Sequence, residues 1–390
     1  MVPEGWKIST LGDVCGNNLQ TGPFGSQLHA NEYEADGVPV LMPKDLNGFR
    51  ADTSSAAKIS VERARDLSKH RLSKGDILFS RRGDVTRFAL IDETSAGSLC
   101  GTGCLKATPG EQHSPEFLSY FLQKHWVRKW LEQNAVGQTM PNMNTAILSE
   151  LPLMVAGSRQ EEDTIAQILS TWDQAITATE RLLENSQQRK KGLMQQLLTG
   201  KKRLPGFEGE WESSTLTKHC SVATGNKDLQ NKVEDGEYPF FVRSSNIERI
   251  DSYSFDGEAI LIPGDGRVGE IFHYIKGKFD YHQRVYKLSD FKGALGLFIY
   301  YYLKRFFKAE VIKNSVKATV DSLRMPVFTG MRIKLPSLKE QQSIVDVLSC
   351  SDREIKEISR RLDLLKQEKK ALMQQLLTGK RRVQVDTEAA

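Results

Sequence analysis

The chain has no stretch greasy enough to span a bilayer. Its most apolar run, GLFIYYYL at 296–303, falls far short of the roughly 20 residues that a crossing needs. The N-terminal MVPEGWKIST has no apolar signal core, so a cytoplasmic protein without membrane association is expected. Cysteine is scarce. The five, Cys15, Cys100, Cys104, Cys220 and Cys350, are odd in number and scattered, which fits a reducing compartment and argues against a disulfide frame. Only Cys100 and Cys104 stand close, and with no second Cys or His pair nearby no metal site is expected. A surplus of one charge sign is also missing: 54 Lys and Arg face 49 Asp and Glu, and a net +5 favours polyanionic partners only weakly.

Catalytic signatures are absent too. There is no Walker A sequence, no nucleophile elbow and no paired-His metal motif. The Asn/Asp-Pro-Pro-aromatic tetrapeptide with which adenine methyltransferases hold their base is missing, and the seven histidines are dispersed. Gly264, Gly266 and Gly269 spell a formal GxGxxG, but a dinucleotide site must open a helix, and the EIFHYI that follows alternates like a strand. No catalytic residue and no cofactor of the chain's own are expected.

What is present is a repeat. LMQQLLTGKKR at 193–203 returns as LMQQLLTGKRR at 372–382, and EEDTIAQILSTWDQAI at 161–176 lies against EQQSIVDVLSCSDREI at 340–355 at the same offset of 179. In the first copy Ile165, Leu169, Trp172, Ile176, Thr179, Leu183, Ser186, Lys190, Leu193 and Leu197 step by four and three. In the second, Ile344, Leu348, Ser351, Ile355, Ile358, Leu362, Leu365, Lys369, Leu372 and Leu376 do the same. That is a coiled-coil seam on helices of roughly 60 Å, each ended by a left-handed glycine, Gly200 or Gly379. Two such helices pack most economically on each other, although two amphipathic helices on separate domains would carry the same pattern. Ser186, Lys190 and Lys369 are polar where a tight seam wants apolar groups, so pairing is expected to be interrupted there, leaving room for partner contacts.

The segments between the helices repeat loosely. GWKISTLGDVC at 5–15 resembles EWESSTLTKHC at 210–220, and NAVGQT at 134–139 resembles NSVKAT at 314–319. Each of the latter follows a helical segment, SPEFLSYFLQKHWVRKWLEQ, with Ser114 and Pro115 as N-cap and first residue, or GLFIYYYLKRFFKAEVI. At 390 residues and 39% apolar content the chain can build several cores. It reads as globule, helix, globule, helix: a near-constant frame carrying two variable readers.

Each globule offers a hairpin with a polar, Gly-containing tip: DILFS, RRGDVTR, FALI in one and AILI, PGDGRVG, EIFHYI in the other. Arg81, Arg82 and Arg87, or Arg267, could meet phosphates and base edges; a solvated turn is the competing reading. Ser26, Gln27 and His29 in TGPFGSQLH, and Gln138, Thr139, Asn142 and Asn144 in GQTMPNMN, carry the side-chain types that read bases. So do Arg243, Ser244, Ser245 and Asn246 in FVRSSNI, Tyr281, His282, Gln283 and Arg284 in DYHQRVY, and Lys317 and Thr319 beyond the later helix. Lys124, Arg128 and Lys129, or Lys304, Arg305 and Lys308, suit phosphate contacts from a helix face.

PEGWKISTLGDV, GPFGSQL, KGDILFSRRGDV, QEEDTIAQILSTWDQAI and LMQQLLTGKKRLPGFEGEW together resemble the specificity subunit of type I restriction-modification systems over nearly the whole chain. The resemblance implies an α+β fold, with two α+β target-recognition domains at 1–156 and 205–337, a central helix at 157–204, a distal helix at 338–382 and a tail at 383–390. It implies helices that pair as an antiparallel coiled coil and double-stranded DNA bound at a bipartite site. Two methyltransferase subunits would dock on the repeated helices, with restriction subunits in the full complex; S-adenosylmethionine and ATP would act on those partners. Another restriction or defence type, a protein-binding coiled-coil scaffold and a self-contained nuclease or methyltransferase are the competing readings.

Overall fold

The computed structural model describes residues 2–25, 27–137, 141–313 and 322–384. The chain forms two compact units, residues 1–178 with 362–390 and residues 179–361. In the first, Lys7–Thr10 pairs antiparallel with Pro152–Val155, closing the globule just before the central helix. Between them a six-stranded sheet runs in the order Leu19–Thr21, Cys104–Ala107, Ile77–Ser80, Phe88–Leu90, Arg50–Ala51, Leu46–Asn47. The strand Ile77–Ser80 is buried on both faces. Ile77 and Phe79 join the main core with Leu105, Phe117 and Phe121, while Leu78 points the other way among Leu41, Ala89, Cys100 and Cys104, as a period of two requires. Burial of a side chain such as Phe79 stabilises by about 1.5–3 kcal/mol.

The second unit is built alike. Glu212–Thr215 pairs with Arg332–Leu335, and the six-stranded order is Ser221–Thr224, Val285–Ser289, Phe255–Pro263, His273–Tyr281, Tyr238–Phe241, Ile247–Ile250. Ile260 and Ile262 face Phe298 and Phe307, whereas Ala259 and Leu261 face Phe241 and Phe279. His273–Tyr281 is one strand of 9 residues. Its counterpart in the first unit is split into Phe88–Leu90 and Leu99–Cys100, but the parallel pairing survives: Leu41 opposes Cys100 as Phe241 opposes Tyr281.

The helical segment after each sheet shows one departure from the sequence reading. Gly296–Lys313 runs unbroken. The expected single helix at 114–133 is two, Pro115–Leu122, capped by Ser114, and His125–Asn134. Lys124 between them is extended, with ψ 138°, and its ammonium donates to the carbonyl of Leu377, 2.7 Å away, just past the end of the distal helix. A tertiary contact, with no proline or glycine to mark it, breaks the helix.

The central helix spans Arg159–Leu197 and the distal helix Leu338–Leu376, 39 residues each. Both run through both units, and within each unit their segments pair antiparallel. In the first unit Glu161 accepts from Arg382 at 2.6 and 2.9 Å and Asp173 from Lys369 at 2.6 Å. In the second, Glu340 accepts from Arg203 at 2.5 and 2.7 Å and Asp352 from Lys190. Tyr120 donates to Asp173, and Tyr301 to Asp352, both at 2.7 Å. The polar seam positions are therefore filled rather than open: Lys190 and Lys369 reach across to aspartates and Ser186 donates to Glu354. Of the seam residues, Ile165, Leu169, Leu197, Ile344, Leu348, Leu362 and Leu376 are buried and Trp172, Ile176, Leu183, Leu193, Ile355, Ile358, Leu365 and Leu372 half-buried. Gly200 and Gly379 end the helices at φ +69° and +64°.

Candidate nucleic-acid interface

The two hairpin tips can be aligned by their backbone hydrogen bonds. Arg81 N–H donates to Gly103 O, Met143 N–H to Arg81 O and Val85 N–H to Gly83 O. Gly264 N–H donates to Arg284 O, Leu323 N–H to Gly264 O and Val268 N–H to Gly266 O. Gly83 and Gly266 both take φ near +75°, at +74° and +76°, a conformation that disfavours side chains. Arg82 bridges to Asn142 as Asp265 bridges to Ser322. The tip RRGDV thus corresponds position by position to GDGRV, with the charges exchanged: Arg82 stands where Asp265 does, and Asp84 where Arg267 does.

In the first unit Arg82 and Arg87 are exposed. Arg87 pairs with Asp84 at 3.2 Å, and Asp84 also accepts from Thr86, so the tip is braced by its own residues. Arg81 is half-buried, its guanidinium 5.9 Å from the ring of Phe24, and its Nε is buried without a partner. Phe24, which the sequence reading passed over, is 56% exposed beside it. Gln27 shapes its turn by accepting from Phe24 N–H at 3.0 Å, and the exposed His29 donates its backbone N–H to Glu32. Asn142 is half-buried with its Oδ1 unpartnered. Asn144 is a helix cap: its carboxamide accepts from Ile147 N–H at 2.8 Å, which commits it to local structure.

The second unit gathers its candidates more tightly. Arg243 and Arg284 both donate to Asp265 Oδ2, at 3.3 and 3.2 Å. Gln283 donates to Asp228 at 2.8 Å. Ser244 accepts from Asn246 N–H in a tight turn, and Ser245 and Asn246 are exposed. Arg267 pairs with Glu270, which also takes Lys308. A groove of about 430 Å³ is lined by Arg243, Ser244, Asp265, Gly266 and His282 among others. His282 is buried, and burial pushes its pKa down. Arg284 N–H donates to its Nδ1 at 2.9 Å, so the neutral ring carries its proton on Nε2, 3.8 Å from Asp228. Tyr281 does not join this surface: at 6% exposure its ring packs in the core beside Phe279. Tyr281 ends its strand facing the core, whereas Arg284 lies exposed in the turn before Val285–Ser289.

Among the phosphate candidates Arg128, Lys129, Lys304, Arg305 and Lys308 are exposed, but Lys124 is not free. Burial lowers its pKa to about 8, and it caps the distal helix. Ser26, Gln138, Thr139, Lys317 and Thr319 lie outside the described residues. Among the described residues no group of three or more His, Cys, Asp or Glu is placed to hold a metal ion, and no helix is long and apolar enough to cross a membrane.

The family model for the type I restriction modification DNA specificity domain matches residues 3–185 and again 208–367. The chain belongs to that family. Each matched stretch of the specificity fold carries one hairpin tip and the start of one long helix. The chain is 24% identical to the putative type I restriction enzyme MjaX specificity subunit of Methanocaldococcus jannaschii, across 98% of this chain and 95% of the relative. It is 29% identical to the EcoDI specificity subunit of Escherichia coli over 43% of this chain and 37% of the relative. The crystal structure of the type I restriction-modification S subunit from M. genitalium shares its fold, with a TM-score of 0.66 at 16% identity, covering 95% of this chain and 96% of that one.

Proposed function

We propose that this specificity chain is the DNA-reading subunit of a type I restriction-modification complex, each unit reading one half of a bipartite double-stranded site. The observation that carries this reading is the paired tip: two structurally equivalent hairpins with different side chains at equivalent positions, which suits two different half-sites. Exposed arginines of both tips supply phosphate and base-edge donors. The helices fix the separation of the half-sites and dock two methyltransferase subunits on their repeated surface, with restriction subunits joining the full complex. The chain itself does no chemistry; S-adenosylmethionine and ATP act on the partners, in the cytoplasm where the DNA lies.

The experiment is methylome sequencing of cells carrying this chain with its methyltransferase, against cells lacking the gene for this chain. Loss of N6-methyladenine at one bipartite motif is expected. An unchanged methylome in an active system would overturn the reading.

A further inference from the structure

The second unit contains a charge arrangement that its counterpart lacks. Asp265, 14% exposed on the hairpin tip, accepts from two guanidinium groups through one oxygen, and its other oxygen has no hydrogen-bond partner. Arg243 and Arg284 are 49% and 63% exposed and come from separate segments. Two cations converging on one carboxylate repel each other and leave a net positive charge. A guanidinium has five N–H donors and Asp265 engages one from each arginine. The remaining donors form a fork that needs a planar acceptor pair, and a carboxylate that holds the side chain reduces the ordering lost on binding.

Guanine O6 and N7 and a phosphate both offer such a pair. The surroundings favour the base. Asp265 and Glu248 line the groove and Asp228 stands beside His282, so a phosphate would approach three carboxylates, whereas guanine presents neutral acceptors. The backbone is fixed as well, with Arg284 N–H held by the buried His282 ring and Arg284 O by Gly264 N–H. In the first unit the position of Asp265 is taken by Arg82, that of Arg284 by Gly103 and that of Arg243 by Pro43.

We propose that Asp265 is a positioning residue that holds Arg243 and Arg284 as a guanine reader, so that the half-site read by the second unit contains a guanine recognised through N7 and O6. This rests on the reading of the chain as a DNA-specificity subunit.

The test uses the full chain assembled with its methyltransferase, bound to duplexes carrying the methylome-derived motif with each guanine replaced in turn by 7-deazaguanine, which lacks the N7 acceptor. For one guanine in one half-site, wild type is expected to weaken on the order of tenfold to a hundredfold, the range of a good bidentate contact. Arg243→Lys or Arg284→Lys keeps the charge and loses the fork; at least one should bind modified and unmodified DNA alike. Asp265→Asn should lower discrimination at the same guanine, and all three should leave the other half-site untouched. The proposal is overturned if no guanine in either half-site responds, or if both lysine variants discriminate like wild type, the arginines then being phosphate contacts. Loss of binding at both half-sites alike would overturn it too, marking residues that merely hold the unit together. Wild-type discrimination by Asp265→Asn removes its positioning role. If no bipartite motif is found at all, the functional reading fails instead.

Discussion

Glu340 is 1% exposed and its carboxylate is satisfied by Arg203, a side chain that can still reach water. The two partners should therefore respond unequally to mutation. Arg203→Met strands a buried charge at Glu340, which costs about 3–5 kcal/mol, whereas Glu340→Gln frees an arginine to solvent and should cost less. The equivalent Glu161 also accepts from Trp6 Nε1 at 3.3 Å, while Trp211 Nε1 has no partner. Arg382→Met should consequently be milder than Arg203→Met. Urea unfolding of the variants gives the order. His282 supplies a pH test. Its folded pKa is depressed by burial, so the native state takes up this proton at lower pH than the unfolded chain, which protonates below about pH 6.5. Its contribution is present above that pH and is lost as pH falls below it. The urea midpoint of wild type should drop between pH 7 and 5, and His282→Gln should flatten that slope.

At the scale of elements, the left-handed glycines that end the long helices sit against tryptophans. A Cβ on Gly379 would lie 2.9 Å from the Trp6 ring, and one on Gly200 would lie 3.4 Å from Trp211. Alanine at either position pays the left-handed penalty of about 1–2 kcal/mol, and Gly379→Ala must also push an indole aside. It should show the larger fall in thermal midpoint. Both glycines, the seam and the two hairpins were legible in the sequence because spacing and turn chemistry are local. The filled seam was not. Lys190 and Lys369 looked like defects because their aspartates, Asp352 and Asp173, face them only once the antiparallel register is known. Nor could the register of RRGDV on GDGRV be read, since the two tips align through backbone bonds to distant strands and share few side chains. Asp265 was passed over for a related reason: an acidic loop residue reads as hostile to DNA until the two arginines on it are seen. Tyr281 and Arg284 lie close in sequence, but the first ends a strand against the core and the second stands in the exposed turn that follows.

For the whole molecule, the proposed reading makes the length of the paired helices the quantity that sets the half-site separation. Each unit takes segments of both, dividing between residues 178 and 179 of the central helix and between 361 and 362 of the distal helix. Lengthening one helix alone must break either the Asp173–Lys369 or the Asp352–Lys190 register, so a fair test lengthens both. Seven residues, two turns, inserted at each of those two points preserve the heptad phase and add about 10 Å of helix. At about 3.4 Å per base step that is three steps at most, and any tilt against the DNA axis, or the twist that each added step imposes, reduces it. The methylated motif of the double-insertion variant should therefore keep both half-sites and gain about one to three base pairs of spacer. If the motif keeps its original spacer while methylation persists, the helices do not set the separation, and the gap must be fixed by the methyltransferase subunits or by the DNA itself.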